Sequence, residues 1–404
     1  MANDAVWMTG VGMVTPLGHS FQEVGGRLFA GQSGIERVDS FDVSQHPSQI
    51  AAQVKTIPVP TEWTADSFTT MPRLNQCSLW CTAQALKDAG LWESRHRLRI
   101  GIVLGVGAEW GIAWENDFYQ DGQQIHDGNG ESRSLVQQLR HHLQLSGPVH
   151  TVSAACASGN IAFAVAKRWL ENDWVDVCLA GACDMTITPM SLAGFGNLRA
   201  LSRRNDEPQA ASRPFDKDRD GFVAGEGGVV FLLEKATSAR KRNAHCYAAV
   251  AGLGMRSDAY HMVIPSPHPE PAVKAMQMAC SEAQIDPQTL DYVNCHATST
   301  PVGDQAEARV LHQVLGSAVD RIPVSSTKSM TGHMLTAAAA FEALACVLAL
   351  ERQAVPPTIN LDHPDTECQL CHVPWTAQSR QLRVVASNSF GFGGSNTCLV
   401  LKAA

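Results

Sequence analysis

An α/β protein built from two related halves is what this sequence predicts, and three observations predict it. Short apolar runs that read as strands alternate with helical patterns along the whole chain, the mark of mainly parallel sheets covered by helices. Each half places a turn of small residues and then a helix after an apolar strand, one around Cys156 and the other over Lys328–His333. With 404 residues, 45% of them hydrophobic and 17% charged, the chain can fill two cores or one large fused one. The expected division is 1–245 and 246–404.

Val6–Val14 reads as a strand broken by Gly10 and Gly12, followed by a Thr15-Pro16-Leu17-Gly18 turn. Phe21–Ala30 has helical spacing, and Leu74–Ala89 is a helix closed by Gly90. Arg99–Gly105 is an unbroken apolar run, hence a buried strand, and it leads into Val106–Asn116, where Trp110 stands among small residues. Asp121–Arg133 is a polar surface loop and Leu135–Leu145 a short helix. Val149–Val152 is strand-like, narrows to Ser153–Gly159, and leaves as a helix with Ile161, Ala164, Val165, Trp169 and Leu170 on one face. Strands follow at Val175–Gly181, Val229–Leu233 and Tyr247–Leu253, with a long charged loop over Arg199–Phe222 and a basic helix end over Ala236–Arg242. In the second half helices are expected at Pro271–Ala283, Gly303–Leu315 and Thr336–Leu350. Strands are expected there at Leu290–Cys295, Ile322–Ser325 and Arg383–Asn388, the last running into the glycine-rich turn Gly391–Gly394.

A net charge of −8 argues against a general nucleic-acid binder. The twelve cysteines follow no regular spacing, as expected of reduced thiols in the cytoplasm. No signal peptide is visible in MANDAVWMTGVG, and Ala337–Leu350 is too short to span a membrane and carries Glu342. Cys368–Cys371–His372 matches the spacing of haem c attachment, but without an export signal a chance match is the better reading.

Cys156 falls at a strand-to-helix turn, where free backbone N–H groups and the helix dipole lower a thiol's pKa and can hold a developing oxyanion. A lone cysteine in such a place is more often a buried small hydrophobe. Two downstream segments reverse that reading. Asn294–Thr300 sets His296 at a strand end followed by Thr298 and Thr300, and Lys328–Ala340 sets Lys328 and His333 before an alanine-rich helix. Phe390–Ser395 adds flexible backbone N–H groups beside Phe392. A cysteine at a helix start, two histidines, a lysine and a glycine turn are together the parts of a thiol acyl-transfer site.

From Thr9–Gly18 (TGVGMVTPLG) through RPFDKDRDGFVAGEGG (Arg213–Gly228), SSTKSMTGH (Ser325–His333) and AVPPTINLD to NSFGFGGSN (Asn388–Asn396), the whole chain resembles the elongating β-ketoacyl-acyl carrier protein (ACP) synthases. It is similar to synthase II of fatty acid biosynthesis and to the ketosynthase α subunits of type II polyketide systems. The resemblance implies a thiolase-like fold, two duplicated five-stranded mixed-sheet halves in an α-β-α-β-α arrangement. It implies that Cys156 takes an acyl group from ACP, that His296 and His333 assist decarboxylation of malonyl-ACP, and that the carbanion attacks the Cys156 thioester. By the same resemblance the N–H groups of Cys156 and Phe392 form the oxyanion hole, Lys328 orients His333, and Phe392 gates entry. Thr298 and Thr300 would bind the phosphopantetheine arm, with Phe390, Gly393 and Trp110 also bordering the substrate. Arg204 would dock acidic ACP, while Asp216, Arg219 and Glu226 would pair to shape the floor.

No resident cofactor or metal is implied, because phosphopantetheine arrives on ACP. The partners implied are acyl- and malonyl-loaded ACP and a second subunit, either a copy of this chain or a chain-length-factor-like relative; neither nucleic acid nor membrane is implied. A non-catalytic pairing subunit, a non-extending acyltransferase and an initiating synthase are the rival readings. The first lacks the cysteine and the last typically carries Asn for one His. The chain departs from the family at Ala297, Thr336 and Ala340, where glycines are usual, and at Trp110, which suggests a short pocket or one for rigid unsaturated chains. The segment between Trp114 and Gly147 is shorter than in synthase II, which points to a specialised polyene or polyketide system.

Overall fold

The computed structural model describes residues 4–109, 111–122 and 134–404. Ten strands form one continuous sheet: β1 (Val6–Val14), β2 (Ile100–Val106), β3 (Val149–Val152), β4 (Val177–Asp184), β5 (Gly227–Lys235), β6 (Ala248–Ser257), β7 (Tyr292–Asn294), β8 (Val324–Ser325), β9 (Val384–Gly391) and β10 (Ser395–Lys402). Their order is β8-β7-β9-β10-β6-β1-β5-β4-β2-β3. Counted from its own outer edge, each half runs third, second, fourth, fifth, first strand. That identity of order is the internal duplication the sequence predicts. The halves meet where β1 pairs antiparallel with β6, Trp7 opposite Ala249 and Met8 opposite Ala248.

The sheet is mixed, not mainly parallel as the alternation of elements suggested. Pairing is parallel only toward the outer edges, β2 with β3 and β4, and β7 with β8 and β9. The central pairs, β1 with β5 and β6, β4 with β5, and β10 with β6 and β9, are antiparallel. Buried strands read as apolar whichever way they run, so direction was not visible in hydropathy. The strand β10 and the helix Pro189–Asn197 were not foreseen.

Successive residues of β5 show how the layers are filled. Val230 and Leu232 face an outer core with Leu79 and Leu86 of α1 (Arg73–Asp88), while Val229, Phe231 and Leu233 face an inner core. The inner core holds two buried helices, α2 (Ser158–Glu171) and α5 (Ala338–Arg352), and the far side of the second half is covered by α3 (Glu270–Glu282) and α4 (Pro301–Leu315). The stack is therefore α-β-α-β-α. Every residue of α5 from Ala338 to Leu350 is buried, as a helix lying between the two halves of the sheet requires. Small residues let α2 and α5 touch: a Cβ on Gly159 would fall 2.6 Å from the Ala340 nitrogen.

The stretch Arg199–Phe222, expected as a charged surface loop, turns inward from Ala211 to Asp216. Asp216 binds Arg213 at 2.9 Å, Arg219 binds Asp365 at 2.8 Å and Asp304 at 3.5 Å, and Glu226 binds Arg73 at 2.9 Å. These charges thus pair with residues outside the expected trio. Among the described residues no helix is long and apolar enough to cross a membrane.

Candidate active site

Both buried helices point their N-terminal ends at one place, and the candidate groups gather there. Cys156 lies in the turn Ala155–Ala157 that opens α2, with Ala155 at φ 48°. Its Sγ is 2.9 Å from His333 Nε2. His333 is fixed through its backbone, donating its N–H to Val223 O at 2.7 Å and accepting from the Gly225 N–H at 2.8 Å. The motif RPFDKDRDGFVAGEGG therefore clamps the segment that carries the second histidine. Phe222 adds an edge contact, its ring centroid 5.4 Å from the His333 ring.

His296 follows β7, and its ring stands nearly perpendicular to that of His333 with centroids 5.4 Å apart. Glu307 of α4 accepts the backbone N–H groups of His296 (3.0 Å) and Ala297 (2.7 Å), which pins the strand end. Lys328 Nζ lies 3.4 Å from His296 Nδ1 and is hydrogen-bonded to Glu342, whose other oxygen accepts from Ser389 Oγ at 2.6 Å. The resemblance implied that Lys328 orients His333; its hydrogen bond goes to His296 instead. His333 Nδ1 has no hydrogen-bond partner among the described residues.

These contacts decide the tautomers. An ammonium can only donate, so Nδ1 of His296 accepts and its proton sits on Nε2. For His333, the same tautomer leaves only an acceptor unpaired at Nδ1, which costs less than an orphaned N–H. Both histidines then present Nε2–H into the site. Burial, with the Lys328 charge next in weight, pushes both imidazoles well below their usual pKa, so they are neutral donors.

The thiol departs from expectation. Burial pushes the Cys156 thiol up to about 11, against the downward pull of the Lys328 charge and the Phe392 N–H. The helix N-terminus does not yield a thiolate at rest, because desolvation outweighs it. Lys328 itself is pushed down to about 8 by burial, against the pull of nearby acidic groups, Glu307 foremost.

Phe392 brings its N–H to the sulfur because Gly391 permits close approach: a Cβ on Gly391 would lie 2.6 Å from Ala154 O. Above the cysteine opens a cavity of about 360 Å³, into which His296, His333, Thr298, Thr300, Phe390 and Phe392 all project. The Thr298 and Thr300 hydroxyls are 3.0 Å apart. Gly393 is not in the cavity wall; it turns the β9–β10 hairpin at φ 84° and donates to Met262 O at 2.8 Å. Arg204 is half-buried and engaged with its own chain, donating to Asp218 O at 2.6 Å with Asp220 3.8 Å away. Trp110 lies outside the described residues, as does most of Asp121–Arg133.

Sequence reasoning missed Glu307, Glu342, the Val223–Gly225 clamp and the cavity rim between Asp258 and Pro271. Glu342 had a signal: a carboxylate in an otherwise apolar helix needs a buried partner. Asp184 was also missed. Burial raises it to about 6, and it accepts the Thr336 N–H at 3.0 Å.

A buried thiol among two neutral imidazole donors, two backbone N–H groups and a largely apolar cavity can form a thioester and stabilise a neighbouring enolate. The comparisons agree with this chemistry. Residues 3–239 match the family described as Beta-ketoacyl synthase, N-terminal domain, and residues 247–362 match Beta-ketoacyl synthase, C-terminal domain. A 3-oxoacyl-[acyl-carrier-protein] synthase 2 of Coxiella burnetii is 38% identical over 100% of this chain and 99% of its own length. A putative polyketide beta-ketoacyl synthase 1 of Streptomyces halstedii is 37% identical over 98% of this chain and 97% of its own. Among solved structures, a ketosynthase complex described as a type II polyketide acyl-carrier protein with its ketosynthase bound to the hexaketide superposes with a TM-score of 0.90. It shares 30% identity, with 100% of both chains covered. The ishigamide ketosynthase/chain length factor reaches a TM-score of 0.90 at 28% identity, again over 100% of both chains.

Proposed function

The chain belongs to the beta-ketoacyl synthase family, and from that premise we propose how its residues divide the work. It is an elongating β-ketoacyl-ACP synthase, an acyltransferase of fatty acid or type II polyketide assembly. Cys156 attacks the thioester carbonyl of acyl-ACP; the Cys156 and Phe392 N–H groups hold the oxyanion, and the phosphopantetheine thiol leaves with the proton the cysteine gave up. Malonyl-ACP then enters through the same cavity. Its carboxylate departs as CO2, and the enolate oxygen is held by Nε2–H of His296 and His333. The carbanion carbon bonds to the acyl carbonyl, and the Cys156 sulfur leaves and is reprotonated. Phosphopantetheine travels with ACP, so no resident cofactor enters the scheme.

One observation carries this reading: Cys156 Sγ lies 2.9 Å from His333 Nε2 at the floor of the shared cavity. A chain-length-factor role needs no nucleophile, and here the nucleophile is present and assembled. Intact-protein mass spectrometry of wild type and Cys156→Ala, given acyl-ACPs and then malonyl-ACP, tests it. Acylation of wild type alone followed by β-ketoacyl-ACP is the expected result, whereas acylation without condensation identifies a plain acyltransferase.

For partners, Arg199 and Ala200 line the cavity, and Arg204, close to them in sequence, would meet the acidic surface of ACP; Arg204→Glu should raise the KM for ACP. Pairing with a second subunit of this fold would use the helix Gly111–Tyr119, on which Trp114 (59%), Phe118 (71%) and Tyr119 (63%) are exposed, together with the open edge of β3. Native mass spectrometry of the purified chain tests whether that subunit is a copy of itself.

A further inference from the structure

Under the outer helix of the first half, away from the catalytic cavity, three thiols meet. Cys77 and Cys81 stand one turn apart on α1, Cys183 comes from the end of β4, and all three are fully buried with their sulfurs within 4.8 Å of one another. Three sulfurs bound to one thiophilic centre at about 2.3 Å sit no more than about 4 Å apart, a spacing compatible with that bound. Gly228 makes the room: a Cβ there would fall 2.5 Å from Cys183 Sγ and 2.9 Å from Cys77 Sγ. Beside Cys183 lies the Ser78 hydroxyl, fully buried and within hydrogen-bonding reach of the Cys183 sulfur. The wall is the apolar core of the first half, including Leu79, Val230 and Leu232.

That apolar wall selects the ligand. Three thiolates on a monovalent or divalent cation leave a net negative charge, which is costly in a dry apolar core. Three thiolates on a trivalent centre leave none. We propose that Cys77, Cys81 and Cys183 form a binding site for a trivalent thiophilic metalloid, with arsenite as its probe. Loading balances as As(OH)3 + 3 R–SH → As(SR)3 + 3 H2O. Three As–O bonds break, three As–S bonds form, each thiol proton leaves in a water molecule, and no oxidant or reductant is needed.

Other thiols compete for thiophiles and can be told apart. The catalytic group of Cys156, His296 and His333 offers one sulfur only, and Cys368 with Cys371 offers at most two. A two-sulfur adduct keeps one hydroxyl on arsenic, so its mass differs from that of the three-sulfur adduct. The reduced full-length protein is incubated with sodium arsenite and followed by native mass spectrometry and thermal melting. The expected result is one adduct with the mass of arsenic less three hydrogens, present in Cys371→Ser and lost in Cys183→Ser, with a raised Tm as for any ligand that binds the folded state. Should Cys183→Ser not fold, Cys81→Ala serves, because it should convert the adduct to the hydroxyl-bearing mass. No adduct, an adduct that vanishes with Cys371→Ser, or a lowered Tm showing capture by the unfolded chain would each overturn the proposal.

Discussion

In the first half the turn Ala155–Ala157 leads into α2, and in the second half Leu335–Ala337 leads into α5. Both turns carry a non-glycine residue at positive φ, Ala155 at 48° and Leu335 at 47°, followed by Cys156 and Thr336 respectively. Cys156 and Thr336 are thus counterparts in the duplicated halves. Each faces the end of the other half's fourth strand, but the two ends differ. Cys156 meets the end of β9, where Gly391 permits close approach and Phe392 supplies a backbone N–H; Thr336 meets the end of β4, where Asp184 supplies a carboxylate. One backbone device therefore makes a site for a developing anion on one side and a closed hydrogen bond on the other. Chemistry is confined to one half by what the opposing strand end offers, not by the turn itself.

The largest effect should come from moving the nucleophile across this pseudo-symmetry. Cys156→Ala should lose acylation and condensation, a fall on the order of 10³-fold or more. Adding Thr336→Cys to Cys156→Ala should restore nothing, because the Asp184 carboxylate disfavours a thiolate there and no N–H pair waits for the oxyanion. Acyl transfer to that new cysteine, read by mass spectrometry of a peptide digest, would break the comparison.

Next in size are the histidines. Removing one positioned donor to the enolate should cost about 10²–10³-fold in decarboxylation. His333→Ala should also change thiol reactivity, since His333 Nε2 touches the sulfur, while His296→Ala should leave acylation closer to wild type. Release of CO2 from malonyl-ACP and acylation by acyl-ACP, measured separately, check this split; equal losses in both steps for His296→Ala would contradict it.

Much of this site was legible in the sequence. Cys156, His296, Lys328 and His333 announce themselves because each sits at the end of an apolar strand or the start of a helix, where a reactive side chain has no packing reason to be. The duplication was legible in the repeated strand-turn-helix order. What stayed hidden depended on contacts outside the local segment. Strand direction, the Glu307 and Glu342 contacts and the backbone clamp on His333 all join residues that lie on different elements, and no local pattern reveals such contacts. The raised thiol pKa was misjudged for the same reason, since the dipole is local whereas desolvation comes from everything packed above it.

Lys328 gives a smaller, pH-dependent effect. Burial disfavours its charged form, so it should lose its proton near pH 8. As pH rises through that value the cation that lowers the Cys156 pKa and fixes the His296 tautomer is lost, and condensation should decline. Alkylation of Cys156 should meanwhile keep rising toward about pH 11, because more thiolate forms. In Lys328→Met alkylation below about pH 8, where Lys328 is charged in the wild type, should be slower, and the decline of condensation near pH 8 should vanish with the group responsible. A decline that persists in Lys328→Met would assign it elsewhere.

The smallest effect belongs to the counterpart of the nucleophile. Thr336→Gly removes a hydroxyl that faces Asp184 but leaves the Thr336 backbone N–H bond to that carboxylate intact. One lost hydrogen bond should cost about 1 kcal/mol, and the added backbone freedom of glycine up to about 1 kcal/mol more. The turn itself should hold, since Leu335 and not Thr336 carries the positive φ. Tm should fall while kcat stays within about threefold of wild type, because a hydrogen bond of this size held equally in ground and transition state does not alter the barrier. A large loss of kcat at unchanged Tm would mean that the quiet half of the pair shapes the reacting one, and that the two turns act as a unit.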